Sequence, residues 1–297
     1  MLALLDMLGF IGPGASGADE AVFAQKLAGL ASAKSTCSLT RLRLSDAQVA
    51  RLCDALHAGA VARVFVTDCG LDSSASLALA RALARCASLE ELRLSDLELG
   101  DDGASALAQS LAAASPPLRV LFLVNAHIGN AGAVALADAL VRDAGVLHTV
   151  NVSTNLLSDA GGAALVGALA QATGLQSLSL DSNRLGDETA RALALALPGW
   201  PCLRCLDLVN NAIGDDGVAE LAQALASCAT LQVLNLGYNA FGDAGAGALA
   251  HCIPRCPGLK HVSAEGTRAS PASLAVIAAL LLATALRPVT VAAVGSV

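Results

Sequence analysis

The stretch Leu175–Gly186, LQSLSLDSNRLG, decides the fold of this chain. Its leucines at positions 0, 3 and 5 alternate with polar residues, which is typical of a strand with one buried face. Asn183 ends the run. The same spacing returns about every 28 residues and opens at nine positions: Leu39, Val61, Leu89, Leu118, Leu147, Leu175, Leu203, Leu231 and Leu259. A period of this length predicts a solenoid of stacked units.

The second half of each unit is predicted to be a helix. Seven consecutive units place a residue of helix-capping type twelve positions after the opening: Ser73, Asp101, Asn130, Asp159, Asp187, Asp215 and Asp243. Two leucine-type residues four apart follow each of them, as Leu193 and Leu197 do, and mark one buried helical stripe. In this frame the first unit, from Leu39, is only 22 residues long. We therefore expect its helix to be shortened.

Leu231–Leu249, LQVLNLGYNAFGDAGAGAL, resembles the leucine-rich repeats of ribonuclease-inhibitor type, whose unit reads LxxLxLxxNxLGDxGAxxLAxAL. The resemblance covers residues 39–269 and implies an α/β fold, a right-handed horseshoe-shaped solenoid with a parallel inner sheet and outer helices. Asparagine occupies position 8 in only four units, at Asn155, Asn183, Asn211 and Asn239, and Ala47, Cys69, Leu97, Ala126 and Thr267 replace it elsewhere. An asparagine ladder is thus expected in the carboxyl half alone.

Helical caps are predicted at both ends. Residues 1–38 form an amino-terminal segment with a cap helix, whose buried face is expected to carry Val22, Phe23, Leu27 and Leu30. Residues 270–297 form an apolar cap helix and tail, and residues 274–286 carry no charge on any face. This segment is either a cap whose outer face meets a partner chain or a membrane anchor. Because residues 271–286 are fewer than the roughly 20 that cross a bilayer, the cap is favoured.

Composition excludes some classes of partner. A formal net charge of −7 argues against binding to phosphate backbones, so no nucleic-acid partner is expected. The nine cysteines are odd in number, and three of them, Cys86, Cys228 and Cys256, stand three residues before a unit opens. This regular placement indicates a small apolar slot and a reducing, cytoplasmic or other intracellular compartment. Cys202 and Cys205 form a CxxC without a second pair, so no metal is expected.

The inner face of the sheet is the candidate binding surface. Strands stack about 4.8 Å apart and helices about 8–10 Å apart, so the strands lie on the short, concave arc. Side chains at positions 2 and 4 are predicted to face outward there, and the candidate partner-binding residues are Arg41, Arg43, Arg63, Phe65, Arg93, Phe122 and Asp207. Exposed arginine beside aromatic residues is typical of interface hot spots. Alternatively, the arginines and the neighbouring aspartates, Asp46, Asp68 and Asp96, neutralise each other on a solvated sheet.

No catalytic constellation is found, because the five histidines fall at unrelated positions and have no nucleophile at a known spacing. We expect no enzyme, no cofactor and no small-molecule substrate. The favoured function is a protein-binding module or scaffold subunit of a larger intracellular assembly. The alternative is a Ran-type GTPase-activating protein, a family whose members supply an arginine-bearing repeat loop and an acidic tail. This sequence has Arg41, Arg43 and Arg63 but no acidic tail.

Overall fold

The computed structural model describes residues 17–31, 35–58, 61–141 and 144–285. In this part of the chain nine strands form one parallel sheet in sequence order. Ten α-helices accompany them, one before the sheet and one after each strand. The alternation of strand and helix confirms the α/β solenoid predicted from the repeat spacing.

The first four strands are longer than the last five: β1 (Ser35–Thr40), β2 (Val61–Thr67), β3 (Glu91–Ser95), β4 (Val120–Val124), β5 (Thr149–Asn151), β6 (Ser177–Ser179), β7 (Cys205–Asp207), β8 (Val233–Asn235) and β9 (His261–Ser263). The helices are α1 (Gly17–Ala28), α2 (Asp46–Ala58), α3 (Ser73–Ala82), α4 (Gly100–Ala114), α5 (Asn130–Leu140), α6 (Asp159–Leu169), α7 (Asp187–Ala196), α8 (Asp215–Leu225), α9 (Asp243–Cys252) and α10 (Pro271–Ala285).

The core lies between the sheet and the helices. Leu178 of β6, Leu180 directly after this strand and Leu193 of α7 are at most 1% exposed. Full burial of such a side chain contributes about 1.5–3 kcal/mol. Since each unit repeats this set, the stack builds one continuous apolar layer.

The frame predicted for the first unit is wrong by five residues. Leu39 pairs with Val66 and Cys37 pairs with Val64, so Leu39 is the sixth residue of its unit and not the first. In the correct frame α2 begins at the usual position and is 13 residues long. The helix of the first unit, α2, is therefore not shortened.

This error has a local cause. Leu39, Leu42 and Leu44 reproduce the strand spacing by coincidence, while the true strand carries Cys37 where other units have leucine or valine. Only pairing with the neighbouring strand separates the two frames. The boundary predicted between residues 38 and 39 falls inside β1.

The capping-type residues do mark helix starts, but six of them act on the next unit. Oδ1 of Asp101 accepts from the amides of Gly129 and Gly132, at 2.7 and 2.9 Å, where α5 begins. Equivalent bonds run from the first amides of the following helices to the side chains of Asn130, Asp159, Asp187, Asp215 and Asp243. A carboxylate at this place also interacts favourably with the positive ends of both neighbouring helix dipoles. By contrast, α3 is capped by its own Asp72, which accepts from the Ala75 amide at 2.9 Å.

An asparagine ladder runs through the carboxyl half, as predicted. Nδ2 of Asn183 donates to the carbonyls of Val152 and Leu180, both at 3.1 Å, and its Oδ1 accepts from the Leu157 amide at 3.1 Å. Asn155, Asn211 and Asn239 make equivalent bonds. Each amide thus joins its own turn to the turn of the preceding unit.

Helix α1 lies against the first units at the amino end. Phe23 and Leu30 are buried as predicted, but Val22 is 42% exposed. The face also carries a carboxylate that the apolar pattern did not predict. Glu20 is 3% exposed and accepts from Gln48 Nε2 at 2.6 Å and from Arg51 Nη1 at 2.5 Å.

Helix α10 lies against the last unit. Ser270 accepts from the Ser273 amide at 3.3 Å, and Ile277 is 4% exposed. The opposite side stays apolar and open, with Val276 and Leu282 50% and 66% exposed. Within the described residues no helix combines the length and hydropathy required to cross a bilayer.

Candidate functional site

The predicted inner-face columns are confirmed from β2 onward. Arg63 pairs with Glu91, and Phe65 pairs with Arg93. Arg93 pairs in turn with Phe122 of β4. Because paired residues of adjacent strands project from the same side of the sheet, these side chains lie beside one another.

The guanidinium of Arg93 stacks between two phenylalanine rings. Its Cζ lies 4.1 Å from the ring centroid of Phe122 and 5.5 Å from that of Phe65. Cation–π contacts at such exposed sites contribute about 0.5–1 kcal/mol each. The solvent-facing phenylalanines therefore have a partner within the chain itself.

Glu91 holds this stack in place. Its Oε1 accepts from Nε and Nη2 of Arg93, at 2.6 and 2.5 Å, and its Oε2 lies 3.7 Å from Nε of Arg63. The side chain of Glu91 is 18% exposed and that of Arg93 is 40% exposed. Two arginines around one carboxylate leave a net positive charge. We call Arg63, Phe65, Glu91, Arg93 and Phe122 the sheet-face cluster.

The alternative, in which Arg and Asp neighbours neutralise each other, holds for Arg41 and Asp68 only, and for Arg63 and Arg93 the neutralising residue is Glu91. Glu91 lies in the column itself, while Asp96 bonds to Nδ2 of Asn125 at 2.9 Å beyond the strand ends. Asp46 opens α2 and is no part of the rim. The sequence pattern placed Glu91 on the face without assigning it a role.

Arg41 and Arg43 lie outside the inner-face columns, contrary to the prediction. Thr36 and Ser38 occupy these positions in β1, as the corrected frame requires. Arg41 follows the strand with a φ of 55°, and its Nε lies 3.9 Å from Oδ2 of Asp68. Both side chains are more than half exposed, so this pair contributes at most about 1 kcal/mol. Arg43 is exposed in the turn that follows.

Asp207 lies on the inner face but not in the sheet-face cluster. It belongs to β7, three strands from β4, which places it about 14 Å away along the sheet. Its carboxylate accepts from Nδ2 of Asn235 at 2.8 Å and from the Val209 amide at 3.2 Å. The structure thus divides the predicted site into an aromatic, basic part and a polar part.

The predicted inner face, built from positions 2 and 4, omitted position 6 of each unit. In the polar part Ser153 and Asp181 hold this position, and the Ser153 hydroxyl donates to the Asp181 carboxylate. The period of two that defined positions 2 and 4 extends to position 6, so the signal was present in the sequence. Asn235 and Asp207 form another such bond between neighbouring units of the polar part.

Most cysteines are buried, and all nine are free. Burial raises the pKa of Cys37 to about 12 and that of Cys86 to about 11. Burial, followed by the Asp207 carboxylate, also raises the pKa of Cys205. Within the described ranges no group of three histidine, cysteine or acidic side chains could hold a metal ion.

Cys202 is expected to be alkylated first in the native protein, because it is the exposed cysteine and the thiolate is the reactive form. Half-buried Cys205 should follow more slowly, and Cys37 and Cys86 should react only after denaturation. Mass spectrometry after timed iodoacetamide labelling at pH 8 measures this order. Cys202→Ser is the control, since it should remove the fastest label. Early labelling of Cys37 would contradict the burial.

Comparison with known proteins matches four of the units to a known family. A family model described as Leucine Rich repeat matches residues 85–108, 172–194, 201–222 and 227–250. No match was found among curated proteins. Among solved structures, actin-binding site 2 of leiomodin-1 is 18% identical, with a TM-score of 0.43, over 50% of this chain and 87% of that one. A tropomodulin C-terminal domain from Caenorhabditis elegans is 18% identical, with a TM-score of 0.44, over 50% and 90%. Each matched segment contains one strand of the parallel sheet and the start of the following helix, so these four units match leucine-rich repeats.

Proposed function

We propose that this chain is a protein-binding module or scaffold subunit that docks its partner on the sheet-face cluster. The observation that carries the proposal is the stack of Arg93 between Phe65 and Phe122. The helix-bearing unit also supports assignment to the ribonuclease-inhibitor-like type of leucine-rich repeat. Free, mostly buried cysteines fit work in a reducing compartment.

The cluster suits a protein partner because it is rigid before binding. Arginine ordinarily loses rotamer entropy on binding, but Glu91 and the two rings already fix Arg93. Aromatic and arginine side chains are also enriched among the residues that dominate binding energies. The polar part, by contrast, uses several of its side chains for bonds within the sheet, as Asn235 does with Asp207 and Ser153 with Asp181, so we assign it a supporting role.

Combined replacement Phe65→Ala and Arg93→Glu is expected to abolish most partner binding. Hot-spot residues cost about 2 kcal/mol or more and 1.4 kcal/mol corresponds to tenfold, so capture should fall at least about tenfold. The measurement is quantitative mass spectrometry of proteins co-purified with the tagged full-length chain from the cells that make it. Thermal unfolding of the same samples separates lost binding from lost folding.

Ser177→Ala with Ser179→Glu is the matched control. It removes one hydroxyl at position 2 and adds one negative charge at position 4, the column of Arg93, but in the polar part. This variant should retain the captured proteins. Equal capture by the folded Phe65/Arg93 variant, or equal loss in the control, would remove the sheet-face cluster as the docking site.

A further inference from the structure

The guanidinium of Arg63 is the open charge of the sheet-face cluster. Its side chain is 50% exposed, and its Nε lies 3.7 Å from Oε2 of Glu91, which exceeds the length of a hydrogen bond. Arg93, by contrast, is held by Glu91 through two nitrogens and stacks on the neighbouring rings. A guanidinium carries five N–H donors in a planar fork that matches a carboxylate. Arg63 can therefore bind a carboxylate of a partner while Arg93 keeps its stack.

The strand beside Arg93 offers an apolar surface. The three outward-facing residues of β4 are Val120, Phe122 and Val124, and each is partly exposed. Of the nine described strands, β4 is the one in which positions 2, 4 and 6 are all apolar. Partly exposed apolar side chains gain free energy when a partner removes them from water. We therefore expect a partner to bring an apolar side chain to β4.

The open charge and the apolar surface lie within reach of one short segment. Arg63 and Val120 occupy the same column, two strands apart, which corresponds to about 10 Å across the sheet. An extended chain advances about 3.3 Å per residue. An acidic residue and an apolar residue about three positions apart thus reach both at once.

The charge of the inner face changes sign along the sheet. The outward positions of β2–β4 carry two arginines, Arg63 and Arg93, against the single carboxylate of Glu91. At and directly after the described strands β6–β9, positions 2, 4 and 6 carry Asp181, Asp207 and Glu265 and no lysine or arginine.

The carboxylates of the polar part keep their negative charge. Asp181 accepts from the Ser153 hydroxyl and Asp207 from the Asn235 amide, and both donors are neutral. An acidic segment is therefore attracted to β2–β4 and repelled from the other half of the face.

We propose that the partner segment bound by the sheet-face cluster is acidic and apolar, with a carboxylate on Arg63 and an apolar side chain on β4. The inference rests on the proposed function and specifies the chemistry of its partner. The bound carboxylate neutralises the excess positive charge of the cluster. The carboxylates after β5 exclude the same segment from the polar part, which fixes its position on the sheet.

The formal net charge of −7 does not oppose this contact. Charges are screened beyond about 8 Å at physiological ionic strength. Asp207 belongs to β7, five strands from β2, which places it about 24 Å from Arg63 across the sheet. The rim carboxylate of Asp68 follows Arg63 by five residues, about 16 Å along the strand, and pairs with Arg41. The attraction at Arg63 is thus local.

The test uses Arg63→Lys in the tagged full-length chain, which keeps the positive charge and supplies an amine. A water-soluble carbodiimide joins an amine to a carboxylate in direct contact and takes up the released water as its urea. The proteins whose capture from the native cells depends on Phe65 and Arg93 are cross-linked on the chain, digested and analysed by mass spectrometry. We expect an amide between the introduced amine and an Asp or Glu of the partner. Without a partner the same amine should join Glu91, which shows that it reacts.

Two further variants complete the test. Ser177→Lys is the matched control, because it places an amine in the same column of the polar part, and it should link to carboxylates of the chain itself and not to the partner. Arg63→Glu should lower capture at least about tenfold, since like charges then meet, whereas Arg63→Lys should lower it less. Thermal unfolding shows whether each variant is folded.

A capture failure of Arg63→Lys does not end the test. Thr36 pairs with Arg63 across β1 and β2 and is exposed, so Thr36→Lys brings an amine to the same column with Arg63 intact. The same partner link is expected from this variant.

The proposal is overturned if neither amine links to a partner carboxylate, if the link is to a phosphorylated residue, or if Ser177→Lys gives partner links in equal yield. When one of these results accompanies lost capture by Phe65→Ala with Arg93→Glu, the docking site stands and its acidic partner is wrong. Normal capture by that folded double variant would remove the docking site itself.

Discussion

Replacement of Arg51 by methionine is expected to lower the free energy of unfolding by about 3–5 kcal/mol, because it leaves a buried carboxylate without its counter-charge. The side chain of Glu20 is 4% exposed, and Arg51 Nη1 lies 2.5 Å from its Oε1. Methionine keeps an apolar contact with Phe23, whose ring lies 5.2 Å from the Arg51 guanidinium carbon. Chemical denaturation of the full-length chain, followed by circular dichroism, measures the change.

Two companion variants make this result specific. Arg191→Met breaks the exposed pair of Arg191 and Glu220, 3.8 Å apart and about half exposed, so it should cost at most about 1 kcal/mol. Adding Glu20→Gln to Arg51→Met removes the unpaired charge while an amide oxygen can still accept from Gln48, so most of the stability should return. Equal effects of Arg51→Met and Arg191→Met would show that Glu20 is not effectively buried.

Asn239→Ala is expected to cost about 3 kcal/mol or more, because several buried backbone groups lose their partner and each unsatisfied group costs about 1–3 kcal/mol. Nδ2 of Asn239 donates to the carbonyls of Leu208 and Leu236, at 2.8 and 3.0 Å, and its Oδ1 accepts from the Ile213 amide at 3.0 Å. The residue is 5% exposed. Water cannot easily replace these bonds, and denaturant unfolding should show a shifted midpoint.

Asn235→Ala is the control for the ladder. Asn235 lies in β8 of the same unit and bonds to the partly exposed carboxylate of Asp207 at 2.8 Å, where water can substitute. Its loss should cost about 1 kcal/mol or less. If Asn239→Ala destabilises no more than Asn235→Ala, the ladder does not contribute as the geometry indicates.

Sequence alone determined the features that depend on residues within one repeat unit. The repeat spacing predicted the strands from β2 onward, the start of each following helix and the columns that carry Phe65 and Arg93. It also identified the asparagine ladder, because Asn183 and its equivalents stand at one fixed position after the strand. These features depend on the local period of a strand or helix, and that period is present within each unit.

Tertiary structure decided the features that join units. The sequence did not indicate that Asp101 caps α5, that Arg51 neutralises Glu20, or that Arg93 stacks on Phe122. It also misplaced the first unit, since Leu39 satisfies two frames and only its pairing with Val66 separates them. In each case the interacting atoms are about one repeat apart in the chain. Their contact depends on how neighbouring units stack and on which rotamer each side chain then adopts, and neither is encoded in the period itself.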